Sequence, residues 1–396
     1  MPVRSLSLTL SVVIFAGCST VPKSGVEARN AAHARMDQVT AAMTRSQAIN
    51  AFETGQLDKA RELVTGAIER HADDAESWSL LGRVLMEQLR LDEAVIALRR
   101  AVELDPSHAQ SHYFLGVIHE RWSKDHDALQ FHLEAHRSDP ARPQYLMAAA
   151  EAHLAVGDTM GARSLVEARL DRFEHNPAMQ HLLAHIATLE GDTATAAARC
   201  EEARLLAPDD ESIARDLCRM RFGNGDWAGC IDAVEDWSNR FGTTDATLDR
   251  LRARCLVLVH RHNEARGSYR NLCEADPEDV SLWRERGLLA WTQQDWDTLQ
   301  LCADQLAHLR PETYEAALFQ AVVHRASGQL EAAKNLLEWL VEADPERAEA
   351  WTVLASVRAA LGDLHGAAKA RDIAVKWAPD LADDPRVTGV FGSDGS

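Results

Sequence analysis

His112, His119 and His132 are the first side chains whose types and spacing suggest chemistry. Thirty-four residues upstream of them stand Trp78, Leu85 and Leu98, at core spacing for a pair of helices. The three imidazoles are therefore expected in one gap between helices, where they can ligate zinc or copper. A hydrogen-bonded polar patch is the alternative, because no carboxylate or cysteine clearly completes the set. His181 and His185 lie one helical turn apart, a spacing that suits a chelated metal or a bound peptide equally. No enzyme signature accompanies them. His119–Glu120 opens like His-Glu-x-x-His, but Ser123 stands where the second ligand belongs. There is no phosphate-cradling glycine loop with lysine and no Gly-x-Ser-x-Gly elbow, so neither catalysis nor a cofactor is expected.

The elements that position these residues repeat. Pro106, Pro140, Pro208, Pro277, Pro311, Pro345 and Pro379 fall on a thirty-four-residue ladder, broken by one extra residue between Pro208 and Pro277. Ala60, Ala94, Ala128, Ala162 and Ala196 keep the same beat, as do Gly55, Gly157, Gly191, Gly225, Gly328 and Gly362. The unit is clearest over 75–108. Trp78, Leu81, Gly82 and Leu85 form one helical stripe, Ala94, Leu98 and Ala101 a second, and Pro106 ends the second helix. Gly82 and Ala94 are small where two antiparallel helices must approach closely.

This unit resembles the tetratricopeptide repeat, and the resemblance spans 41–381. It implies an all-α, right-handed superhelix, an α-solenoid of ten helix-turn-helix units: 41–74, 75–108, 109–142, 143–176, 177–210, 211–244, 246–279, 280–313, 314–347 and 348–381. Units four and six have Glu174 and Gly242 in place of the final proline, and unit eight has Leu299 in place of the tight alanine. The extra residue falls either in the connector 242–245 or between the two helices of unit seven.

The termini differ from the repeats. Arg4, a short apolar stretch and the tetrad Phe15–Ala16–Gly17–Cys18 read as a bacterial secretory signal over 1–17. The tetrad resembles a lipobox, which makes Cys18 the lipidated first residue of the mature chain. Ser19 follows where aspartate would favour the inner membrane, so the expected place is the outer membrane, facing the periplasm. Residues 18–23 form the lipidated cysteine and its tether. A helix over 24–40, opened by the capping box Ser24–Glu27, is expected to cover the first repeat, and 382–396 reads as a disordered tail.

A formal charge of −19 argues against nucleic acid as a partner and leaves the lipid as the route to a membrane. Six cysteines remain beyond Cys18. They are either small apolar fillers of helix contacts or, in an exported chain, disulfide partners. The first candidate pair is Cys218 with Cys230, which take the places of Gly82 and Ala94 in unit six.

The resemblance also implies a ligand-binding concave face, formed by the second, fifth, ninth, twelfth and thirteenth residues of each first helix. These positions hold His181 and His185 in unit five, Arg215, Arg219 and Phe222 in unit six, and Arg284 and Trp291 in unit eight. Arg250 and Arg254 of unit seven join them if the extra residue precedes that unit. Guanidinium groups there can hold carboxylates while the aromatics take apolar side chains. The alternative is that these arginines pair with neighbours such as Asp216, Asp249 and Glu285. The expected function is a non-enzymatic envelope scaffold that binds an extended segment or helix of another protein, in a pilus, secretion or envelope-building complex. Two other readings stay open: a metal- or small-ligand-binding protein using units three to five, and a regulatory subunit of a cell-wall or polysaccharide enzyme.

Overall fold

The computed structural model describes residues 23–242 and 245–379. The signal segment, Cys18 with its tether through residue 22, and the tail 382–396 lie outside them. The described residues are helical throughout, in two compact units that divide between Glu174 and His175.

In the first unit the helices are α1 (Lys23–Glu53), α2 (Leu57–Arg70), α3 (Ala75–Glu87), α4 (Leu91–Leu104), α5 (Ala109–Arg121), α6 (Asp125–Ser138), α7 (Pro143–Ala155), α8 (Thr159–Glu167) and α9 (Leu170–Phe173). Consecutive helices pair, and each pair packs on the next through the apolar stripes read from the sequence: Val64, Val84, Leu98 and Ile118 are fully buried. The helix expected over 24–40 is not a separate cover. It is the first part of α1, in line with the first repeat's own helix, and Met36 and Val39 on it are 70% and 61% exposed. Burial begins only at Ala41.

Unit four is where the regular pattern fails. Its second helix ends at Glu167 and resumes as the single turn α9. Arg169 occupies the place of Ala101, Ala135 and Ala203, which are fully buried. A guanidinium cannot be left in that apolar contact without a partner, so the side chain stays exposed and the helix breaks there.

The second unit contains α10 (Pro177–Leu189), α11 (Thr193–Leu206), α12 (Glu211–Gly223), α13 (Trp227–Phe241), α14 (Ala246–Leu258), α15 (His262–Ala275), α16 (Val280–Thr292), α17 (Trp296–Leu309), α18 (Tyr314–Ala326), α19 (Leu330–Ala343), α20 (Ala348–Ala360) and α21 (Leu364–Trp377). The extra residue lies before unit seven: α13 runs to 15 residues, Gly242 closes it in the left-handed conformation, and α14 starts in register at Ala246. Among the described residues no helix is long and apolar enough to cross a membrane.

All six cysteines of the repeats are buried free thiols, so Cys218 and Cys230 follow the apolar-filler alternative and not the candidate disulfide. Cys218 donates to the Ala214 carbonyl at 3.3 Å and Cys230 to the Cys218 carbonyl at 3.3 Å, so each sulfur is used as a small apolar filler with a weak local bond. Burial pushes the thiols of Cys200, Cys218 and Cys302 up to about 12.

One backbone position recurs between the two helices of every pair. It is left-handed in all ten, and glycine fills it in six, while Leu89, Ser123, His260 and Gln294 adopt it at φ of 61°, 55°, 61° and 55°. A side chain pays about 1–2 kcal/mol there that glycine does not, partly offset by glycine's freer unfolded chain. Leu89→Gly should therefore raise stability by up to about 1 kcal/mol, and Gly362→Ala should lower it by about as much. Denaturant midpoints measured on the two variants check the opposite signs.

Candidate functional site

The three histidines of unit three do not converge. His112 replaces a tryptophan and does that tryptophan's work. Trp283 and Trp351 donate to the carbonyls of Pro277 and Pro345 at 2.9 Å, and His112 Nε2 lies 3.0 Å from the Pro106 carbonyl in the same geometry. His119 sits in a leucine's place between Trp122 and Phe131, with Nδ1 3.3 Å from Asp127. His132 is fully buried against Tyr113, and its Nε2 is 3.0 Å from Glu120 Oε1. Each ring has its own contact. Among the described residues, one set of ligand atoms is close enough to share an ion: His181, His185 and Asp216. The candidate zinc or copper set at His112, His119 and His132 thus gives way to the alternative of three separately packed polar rings.

The arginines are also brought to other ends than a free basic stripe. Arg215 pairs with Glu211 at 2.7 Å and Asp245 at 3.3 Å. Arg219 pairs with Asp216 at 2.9 Å. Arg250 and Arg254, placed on this face by the register of unit seven, both close on Glu285, which also accepts from the Tyr269 hydroxyl at 3.1 Å. Burial alone would raise the Glu285 carboxyl, but hydrogen bonds from Arg254 and Arg250 outweigh it and hold the group below the usual range. Arg284 has a looser partner, 3.9 Å from a Glu315 that is shared with Arg347. Acids on the same helix, as for Arg219, or on the next first helix, as for Arg250, thus neutralise the row.

One guanidinium escapes. Arg325, on α18, has no ion-pair or hydrogen-bond partner among the described residues. It lines a pocket of about 490 Å³ with Trp291, Trp296, Leu288, Val353 and Ser356. The surrounding wall desolvates the guanidinium and lowers its pKa, yet arginine remains charged at neutral pH. A second pocket of about 350 Å³ adjoins it through the shared Leu288 and Thr292, and carries Phe222 and Leu258. Phe222 is braced edge-on by Trp227 at 5.2 Å, and Trp291 by Phe319 at 6.4 Å. The result is a largely apolar trough across units six to ten in which Arg325 has no partner and the one acid of its pocket, Glu349, faces Arg347 at 3.8 Å. Arg325 escaped the sequence reading although it stands at the same repeat position as Phe222 and Trp291. Extending that register to unit nine would have found it.

A stack of paired helices with pockets along its first helices defines a helical-repeat protein of the binding class. The tetratricopeptide repeat model matches residues 45–109, 90–143 and 318–382, so the chain carries tetratricopeptide repeats there, and the same helix pair recurs between those segments. Proteins of this family are protein-interaction scaffolds. No curated protein matches the chain by sequence. Solved structures resemble it at low identity. The structure of Naa15/Naa10 bound to HypK-THB is 16% identical over 86% of this chain and 64% of its own, with a TM-score of 0.39. A tetratricopeptide repeat protein from Parabacteroides merdae is 14% identical over 63% of this chain and 98% of its own, with a TM-score of 0.45. PilW, a type IV pilus biogenesis factor, is 13% identical over 52% of this chain and 96% of its own, with a TM-score of 0.46. This chain spans less than two thirds of the length of the first of these.

The packed histidines carry a pH consequence. Burial lowers His132 from 6.5 to about 4, so the folded state resists a proton that the unfolded chain accepts. Stability from this group is complete above pH 6.5 and is lost as pH falls from 6.5 toward 4. The loss is at most about 3 kcal/mol, reduced by whatever a charged His132 gains from Glu120. His132→Leu, which restores the repeat's usual residue, should flatten the acid limb of a stability–pH profile between those values.

Proposed function

We propose that this chain is a non-enzymatic envelope scaffold whose trough in units six to ten holds an extended or helical segment of a partner protein. The observation that carries the reading is Arg325, an unpaired guanidinium set among Trp291, Trp296 and Leu288. A partner segment with a carboxylate beside large apolar side chains satisfies both features at once: the carboxylate takes a charge-assisted pair with Arg325, and the apolar groups fill the trough. No bond need be made or broken. A preformed wall lowers the ordering cost of the bound segment, and many weak contacts supply affinity. Arg250, Arg254 and Arg284 serve a different end, linking the first helices of adjacent repeats through Glu285 and Glu315.

The Phe15–Ala16–Gly17–Cys18 tetrad supports export and lipid attachment at Cys18, with the repeats in the periplasm and the anchor in the outer membrane. The client then belongs to an envelope assembly, such as a pilus, a secretion pore or a wall-building complex.

In-cell crosslinking from the trough, followed by identification of the captured protein, should yield one dominant partner whose capture falls at least about tenfold in Arg325→Glu. Equal capture by wild type and Arg325→Glu would sink the trough as the docking site. Cys18→Ala should move the protein from the membrane to the soluble envelope fraction and abolish labelling by fatty acid. Retained membrane attachment in that variant would count against the anchor.

A further inference from the structure

The concave face holds a second arrangement, in units five and six, that the trough does not use. His181 and His185 project from α10, and Asp216 from the neighbouring first helix α12. His181 Nε2 is 3.0 Å from Asp216 Oδ2, His185 Nε2 is 3.2 Å from the same oxygen, and the two nitrogens are 3.1 Å apart. Three ligand atoms thus form a nearly equilateral triangle. Around a tetrahedral ion with bonds of about 2.0–2.1 Å, ligand atoms stand about 3.3 Å apart, so this triangle has the size of one tetrahedral face.

Protons alone satisfy the triangle poorly. If both Nε2 atoms carry hydrogen, both can donate to Asp216, but the short contact between the rings then sets two donors side by side. If only one carries hydrogen, a bare nitrogen faces a carboxylate lone pair. A cation at the centre lets all three atoms present lone pairs. The carboxylate is also held from behind: Arg219 donates to Oδ1 at 2.9 Å, which leaves Oδ2 turned to the imidazoles. Asp216 and His181 are largely sheltered, at 17% and 18% side-chain exposure, while His185 is 46% exposed. His185 and Asp216 line a pocket of about 310 Å³ with Thr188, Arg219 and Met220.

We propose that His181, His185 and Asp216 bind a divalent transition ion of the zinc class, with the fourth coordination position open to this pocket. Two imidazoles and one carboxylate on a tetrahedral face suit zinc better than calcium or magnesium, which take oxygen ligands in larger number. Among the described residues no fourth histidine, cysteine or carboxylate joins the set, so water or a donor atom of a bound partner completes it. The ion ties α10 to α12. This site does not depend on the trough, and either can fail without the other.

The test uses the full chain stripped with chelator and titrated with Zn²⁺, and separately with Co²⁺. One equivalent of Zn²⁺ should bind and raise the melting temperature. Co²⁺ should give the intense visible bands of a four-coordinate ion. His181→Ala, His185→Ala and Asp216→Asn should each weaken binding on the order of 100-fold or more and remove the thermal shift. His112→Ala should change neither. His185→Asn is the safeguard, since that exposed ring is the least needed for folding, and its metal-free melting temperature should match wild type. No stoichiometric zinc, a weak six-coordinate cobalt spectrum, or binding unchanged in His185→Asn would each overturn the site.

Discussion

A single helix pair in this chain has apolar surface on more sides than the pair itself can cover, and everything else follows from that shortage. Ala94 and Leu98 meet the first helix of their own repeat, while Leu80 and Val84 face the repeat before. Stability is therefore a sum over neighbour contacts rather than the property of one central core. The demand for close approach explains the small residues: a Cβ on Gly287 would stand 2.2 Å from the Phe319 ring, itself fully buried. It also explains why one charged residue matters so much at Arg169, where the contact has no room for a guanidinium and the helix stops.

The ladder made the fold legible because it records backbone requirements that few residues meet. The left-handed turn selects glycine, and the helix-to-helix contact selects alanine. Register was legible too, apart from the extra residue, whose place depends on how one helix end is closed. Gly242 in the left-handed conformation decides it. The helix over 24–40 is the start of α1 for a related reason: its spacing gives a stripe but neither the helix's length nor what packs on it among the described residues.

Side-chain chemistry was less legible, because its outcome turns on which neighbour arrives first. The repeat alignment correctly faced His112 and His132 inward, yet hydrogen bonds to a carbonyl and a carboxylate engage them singly. On the face of the first helices the same alignment brought the arginines together without showing that acids on the same and the next helix consume them. Glu285 alone binds two. The alternative of pairing with neighbours holds for Asp216 and Glu285. The groove's character then rests on Arg325, which lines the trough without a partner while Arg250, Arg254 and Arg284 on the neighbouring first helices are paired.

The buried thiols bear on time rather than on shape. A pKa moved from 9.0 to about 12, as at Cys200, Cys218 and Cys302, cuts the thiolate population at neutral pH about a thousandfold, and burial removes access to what remains. An oxidant can thus reach these sulfurs only while the chain is unfolded. If the chain is exported as proposed, the interval between delivery of repeats five to eight and their stacking is the period of chemical risk. Folding speed, set by contacts between adjacent repeats, is what protects the thiols.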